Sequence, residues 1–149
     1  MADALVIGYG NPLRCDDGLG WKAVDSLAET LDSERIELLT CHQLNPELAE
    51  TLQDAELVLF LDAAAEGVPG QLHCEPVEPV SENLTLMHSL SPAALLTLCD
   101  RLYETSPRAY ALSISGQCFE HGDTLSAPVR NAMLELLARA RELLDDFLD

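Results

Sequence analysis

LVLFLDAAA, residues Leu57 to Ala65, decides the fold. Its apolar side chains run on without alternation until they meet an aspartate, Asp62. A sheet with one wet face would alternate apolar and polar residues. An unbroken apolar run bounded by polar segments instead fits a strand covered by helices on both faces, as in a parallel sheet. The neighbouring segments supply such helices. Upstream, Asn45 precedes PELAETLQD (Pro46–Asp54), which reads as a short helix because proline suits a first helical turn. Downstream, SPAALLTLCDRLY (Ser91–Tyr103) opens with a serine cap and a proline at its first position.

The rest of the chain repeats this pattern outward from Leu57–Ala65. ALVIGYG (Ala4–Gly10) reads as a buried strand, and GLGWKAVDSLAETL (Gly18–Leu31) as a helix with Val24, Leu27 and Leu31 on one face. IELLTCH (Ile36–His42) is a second strand. After the turn GVPG (Gly67–Gly70), QLHCEPV (Gln71–Val77) is a short strand at an edge, and Glu78 to Ser89 form a polar loop. RAYALSIS (Arg108–Ser115) is a further strand, followed by the loop GQCFEHGDT. A long helix from about Pro128 carries Val129, Met133, Leu137, Ala140, Leu144 and Phe147 along one stripe. Strands alternating with helices over short loops predict an open α/β sandwich, with residues 1–149 as one domain.

Composition narrows the partners. Among 149 residues, 26 acids against 8 bases give a formal charge of −18. That argues against nucleic acid or an anionic membrane surface as partner. No apolar run approaches the roughly 20 residues that span a bilayer. MADALVIGYG has neither a basic region nor a small-residue cleavage site, so a cytoplasmic protein is expected. Five cysteines without a Cys-x-x-Cys pair form neither a disulfide framework nor a zinc ribbon. Four of them read as small buried hydrophobes of a reducing compartment. Cys15 differs, because it lies in the loop after the first strand.

In open α/β sheets the ligand site lies beyond the carboxyl ends of the parallel strands. Asn11, Asp16 and Asp17 follow the first strand, His42 ends the second and Asp62 ends the third. A charge directly after LVLFL must be solvated by a cleft, paired, or bound to a metal. The structural alternatives are a turn cap or a pairing with Arg14. For Asp16 and Asp17 the alternative is capping of the following helix, though two adjacent acids exceed what one cap needs. His88, just before the Ser91 helix, is on its own more readily an exposed loop histidine, as are His73 and His121. His42 is open to either reading. Together, two carboxylates and an imidazole make a mixed oxygen–nitrogen set that suits nickel or zinc better than calcium. Nucleotide binding is disfavoured: Leu13 stands where the third glycine of a dinucleotide loop belongs, and no Gly-Lys-Ser/Thr is present.

ALVIGYGNPLRCDDGLG resembles the N-terminal signature of the hydrogenase maturation endopeptidases, Gly-x-Gly-Asn-x-Leu-x-x-Asp-(Asp/Glu)-Gly-x-Gly. LFLDAA is similar to that family's second motif and MHSLSPAALL to its third. CHQLNPELAE is similar to a segment found in a subset of the family, including proteases serving bidirectional hydrogenases. The resemblance implies a three-layer α/β/α sandwich with a mostly parallel sheet. It implies removal of a C-terminal peptide from the nickel-loaded precursor of a nickel–iron hydrogenase large subunit. The family's metal-contacting residues fall on Asp17, Asp62 and His88, with one carboxylate a candidate base. Asp17 is shorter by one carbon than the glutamate many members carry there. Nickel is expected to come with the substrate, and the resting site to hold metal weakly or not at all. Competing readings are a thiol hydrolase using Cys15 with His42 or His88, and a non-enzymatic nickel-binding maturation chaperone. A cysteine at a helix start is activated by the dipole, but Asp16 and Asp17 beside it disfavour the thiolate.

Overall fold

The computed structural model describes residues 3–31, 34–80 and 90–148. A five-stranded sheet contains β1 (Ala4–Tyr9), β2 (Ile36–Cys41), β3 (Leu57–Ala64), β4 (Leu72–Val77) and β5 (Arg108–Ser115), in the order β2-β1-β3-β5-β4. Four strands are parallel, and β4 pairs antiparallel with β5 at the edge. The helices are α1 (Leu19–Thr30), α2 (Leu48–Leu52), α3 (Pro92–Tyr103) and α4 (Ala127–Leu148), with a 3₁₀ turn at Cys15–Gly18. No helix among the described residues is long and apolar enough to cross a membrane.

The alternation of side chains splits the core into two layers. Ala4 and Val6 of β1, with Leu57, Leu59 and Leu61 of β3, pack with α1 and α4. Leu5 and Ile7, with Val58 and Phe60, pack with α2 and α3. Both faces of β1 and β3 are thus dry, which explains their unbroken apolar runs. The three-layer α/β/α sandwich is as expected. At roughly 25 cal/mol per Å² of apolar surface, burial on two faces makes these central strands the most stabilising part of the sheet.

Helix starts follow local chemistry with two departures. Ser91 caps α3 as expected, its Oγ accepting from Ala94 N at 3.1 Å. Asn45 takes Glu47 N on its own side chain at 3.1 Å, closing a turn, so regular helix begins only at Leu48. At α1 neither aspartate caps the helix: Gly18 holds the N-cap position without a side-chain bond.

Candidate functional site

The sheet order reverses between β1 and β3, because the chain passes from β1 to β2 on one side and then crosses to β3 on the other. The loops leaving these two strands diverge there and leave a crevice. The crevice is a cavity of about 230 Å³ lined by Tyr9, Gly10, Asp17, His42, Gln43, Leu44, Asp62 and Leu90. A larger hollow of about 500 Å³ lies where β5 begins, lined by residues including Pro76, Glu78 and Arg108 but by no histidine, cysteine or aspartate among the described residues.

Register explains why Tyr9 and Asp62 meet. Gly8 pairs with Leu61, so the next residues of the two strands, Tyr9 and Asp62, stand level. By alternation each points to the side of Ile7 and Phe60, the face that packs on α2 and α3. Asp62 Oδ1 accepts from Ala63 N at 2.7 Å, and the Tyr9 hydroxyl hydrogen-bonds the carboxylate. Burial pushes the Asp62 carboxyl up to about 7, with help from the nearby charge of Asp17 and against those two hydrogen bonds. The Tyr9 phenol is raised above its ordinary range, first by burial and then by the charge of Asp62. It therefore stays a neutral donor. Arg14 does not pair with Asp62; its Nε donates to Phe119 O at 3.1 Å.

The glycine-rich loop is shaped by close approach. Gly10 has φ +132°, and a Cβ there would collide with the Asp17 carbonyl. A Cβ on Gly20 would collide with Leu61 O and stand 2.8 Å from Tyr9 N, so α1 can sit directly on the ends of β1 and β3. Asn11 braces the loop as expected, its Oδ1 accepting from Leu13 N at 2.9 Å. Asp17 Oδ2 accepts from Asn11 N at 2.7 Å, which turns its carboxylate back across the loop toward the cavity.

Asp16 has a different task. It is fully buried, and it accepts from Gln117 N, Cys118 N, Ser126 N and Ser126 Oγ at 2.7–2.9 Å. Burial alone would raise its carboxyl, but the hydrogen bonds outweigh that and hold it below the ordinary value. Where a cap for α1 was expected, Asp16 instead fastens the site loop to the segment leading into α4.

His42, one residue past β2, meets the Trp21 ring edge-on with centroids 5.6 Å apart. Trp21 Nε1 donates to Gly10 O at 2.9 Å and Cys41 O at 3.2 Å, so one indole ties the ends of β1 and β2. His88 lies outside the described residues; Leu90, two positions on, lines the cavity and donates its N to Leu44 O at 3.4 Å. Among the described residues no three His, Cys, Asp or Glu side chains are grouped to hold a metal ion. His73, expected to be an exposed loop histidine, is instead half-buried on β4, where pairing with β5 sets its Nε2 2.9 Å from Ser115 Oγ. Cys15 does not line the cavity. Its thiol is pushed up to about 11, first by a hydrogen bond with Cys118, then by desolvation and the charges around it, Asp16 and Glu120 among them. That removes support from a thiol nucleophile. The expectation of four buried cysteines is corrected too: only Cys99 is buried, and Cys41, Cys74 and Cys118 are half-exposed. Tyr9 was missed by sequence reasoning, although it occupies the same strand-end position that singled out Asp62.

No family model and no curated protein matches the chain. Solved structures do. The hydrogenase maturating endopeptidase HybD from E. coli is similar at TM-score 0.81 and 20% identity, over 98% of this chain and 93% of that one. A hydrogenase 2 maturation peptidase from a Thaumarchaeota archaeon is similar at TM-score 0.72 and 22% identity, over 95% and 97%. The [NiFe] hydrogenase maturation protease HycI from Thermococcus kodakarensis gives TM-score 0.75 and 18% identity over 97% and 93%. The chain thus has, along nearly its whole length, the fold of the hydrogenase maturation endopeptidases.

Proposed function

We propose that the protein is an endopeptidase that removes the C-terminal peptide from a nickel-loaded precursor of a nickel–iron hydrogenase large subunit. The observation that carries this reading is the meeting of Asp17 and Asp62 in one cavity at the β1/β3 crevice. The motif match and the shared fold support it. Nickel arrives with the substrate and takes Asp17, Asp62 and His88 as added ligands. Leu90 at the cavity wall supports the assignment of His88, which precedes it by two residues.

The electrostatics suit a site that waits for its cation. With Asp62 raised to about 7, its carboxyl holds a proton near neutrality and so avoids setting two like charges side by side in the cavity. An incoming divalent ion reverses that penalty and expels the proton, so binding and deprotonation are coupled. Held by Asp17, Asp62 and His88, the substrate's nickel would supply Lewis acidity. One of the carboxylates is placed to serve as a base toward the water that adds to the scissile carbonyl as the leaving amine gains a proton.

The test is incubation of the purified protein, without added metal, with nickel-loaded and nickel-free precursor, read by intact mass. Loss of the C-terminal peptide from the loaded precursor alone is expected. Efficient cleavage of the nickel-free precursor would overturn the substrate-borne metal, and no cleavage of either would overturn the peptidase.

A further inference from the structure

Away from the cavity, the fold brings two thiols together from opposite ends of the chain. Cys15 N donates to Gly122 O at 2.8 Å, and Asp16 N donates to Cys118 O at 2.9 Å. Cys118 N returns a bond to Asp16 Oδ2 at 2.9 Å. The backbones beside both cysteines are therefore pinned to each other, which brings the two thiols onto adjoining stretches of loop within each other's influence. A Cβ on Gly122 would stand 2.9 Å from Cys15 Sγ, so the missing side chain is what lets the sulfur lie against this loop. Both thiols are free and neither is sealed from solvent. The remaining cysteines sit on separate elements: Cys41 on β2, Cys74 on β4 and Cys99 on α3.

We propose that Cys15 and Cys118 are a modification site, closing to an intramolecular disulfide by exchange with a small-molecule disulfide. The Cys118 sulfur attacks the reagent as its thiolate, forming a mixed disulfide and releasing one small thiolate, which takes up a proton. The Cys15 thiol then gives its proton to solvent as its sulfur displaces the other small thiolate and forms the Cys15–Cys118 bond. In sum, two protein thiols and one small disulfide give one protein disulfide and two small thiols; the protein is oxidised by two electrons and the reagent reduced. The second step is intramolecular between thiols carried on backbones that are hydrogen-bonded to each other, so it outruns a second external attack. The product ties the loop that carries Asp17 to the segment before α4 by a covalent bond, beside the hydrogen bonds of Asp16. This inference stands apart from the peptidase reading, since no precursor is needed to test it.

The experiment equilibrates the whole protein in mixtures of reduced and oxidised glutathione, quenches with acid, alkylates, and reads intact mass and peptide maps. Expected is a species with two cysteines protected, no glutathione adduct, and one cross-linked peptide pair joining Cys15 to Cys118. That species should melt higher by roughly 5–10 °C, because the cross-link closes a long loop in the unfolded chain. In Cys118→Ser the protection of Cys15 should vanish or turn into a glutathione adduct. Five alkylatable thiols at every ratio, stable adducts on Cys15 or Cys118 in the unaltered protein, cross-links through other cysteines, or a lower melting point would each overturn the proposal.

Discussion

Replacing Asp62 by asparagine should make the protein more stable at pH 8 while removing most of its activity. The folded carboxyl titrates near 7 instead of the ordinary 3.8, chiefly because burial disfavours its charge. A group whose folded pKa is raised binds its proton more tightly in the native state. As pH rises from about 4 to about 7, the unfolded chain releases this proton first and native stability falls, levelling off above the folded value. At about 1.4 kcal/mol for each tenfold change, the gap between 3.8 and about 7 withholds at most about 4 kcal/mol. Asparagine carries no charge to penalise, and its Oδ1 keeps the bond from Ala63 N. Urea unfolding of both proteins, with chelator present, should show Asp62→Asn ahead by about 2–4 kcal/mol at pH 8 and nearly level by pH 4. The general effect of the net charge cancels in the difference. A constant difference from pH 4 to 8, or a more stable aspartate at pH 8, would refute the reasoning. The same variant should cleave nickel-loaded precursor poorly, having lost an anionic ligand.

Asp16→Asn should cost about 2–4 kcal/mol in chemical denaturation, because an amide NH₂ must then face one of the buried donors that the carboxylate now accepts; a loss under 1 kcal/mol would show that Asp16 is not the tie described. Gly20→Ala should destabilise by about 2–4 kcal/mol, since the new methyl meets the backbones of Leu61 and Tyr9 and neither strand can retreat. A melting point unchanged by that methyl would mean the helix is not seated on the strand ends. Cys15→Ser should leave cleavage of nickel-loaded precursor intact, and complete loss of cleavage in the folded variant would bring the thiol hydrolase forward.

What could be read in advance depended on how local the cause was. The two-sided burial of β3 is written in its own residues, and the Ser91 cap needs only a partner three residues on. Asp62 could be found because a charge ending a buried run is costly wherever the chain goes next. Asp17 could be assigned only through the resemblance to a family motif; capping rules treat it and Asp16 alike. What separates them is the set of donors on Gln117, Cys118 and Ser126, and nothing near Asp16 announces those. Tyr9 was hidden for a similar reason, since its meeting with Asp62 follows from the β1–β3 register. The cysteines misled because residue type alone does not say which loop lies over a thiol.

The distance between Asp16 and its donors also bears on biosynthesis. During synthesis Asp16 leaves the ribosome well before the groups that hold it, which come 101 to 110 positions later. Until Gln117 has emerged, this carboxylate has none of its native donors, and until Ser126 follows it lacks two of the four and the segment carrying Asp17 is only half anchored. A growing chain therefore has no finished cavity, however well its first strands have paired. Cutting the protein short before Gln117 would remove all of those donors and disarm the cavity from a distance, while leaving in place every residue that lines it.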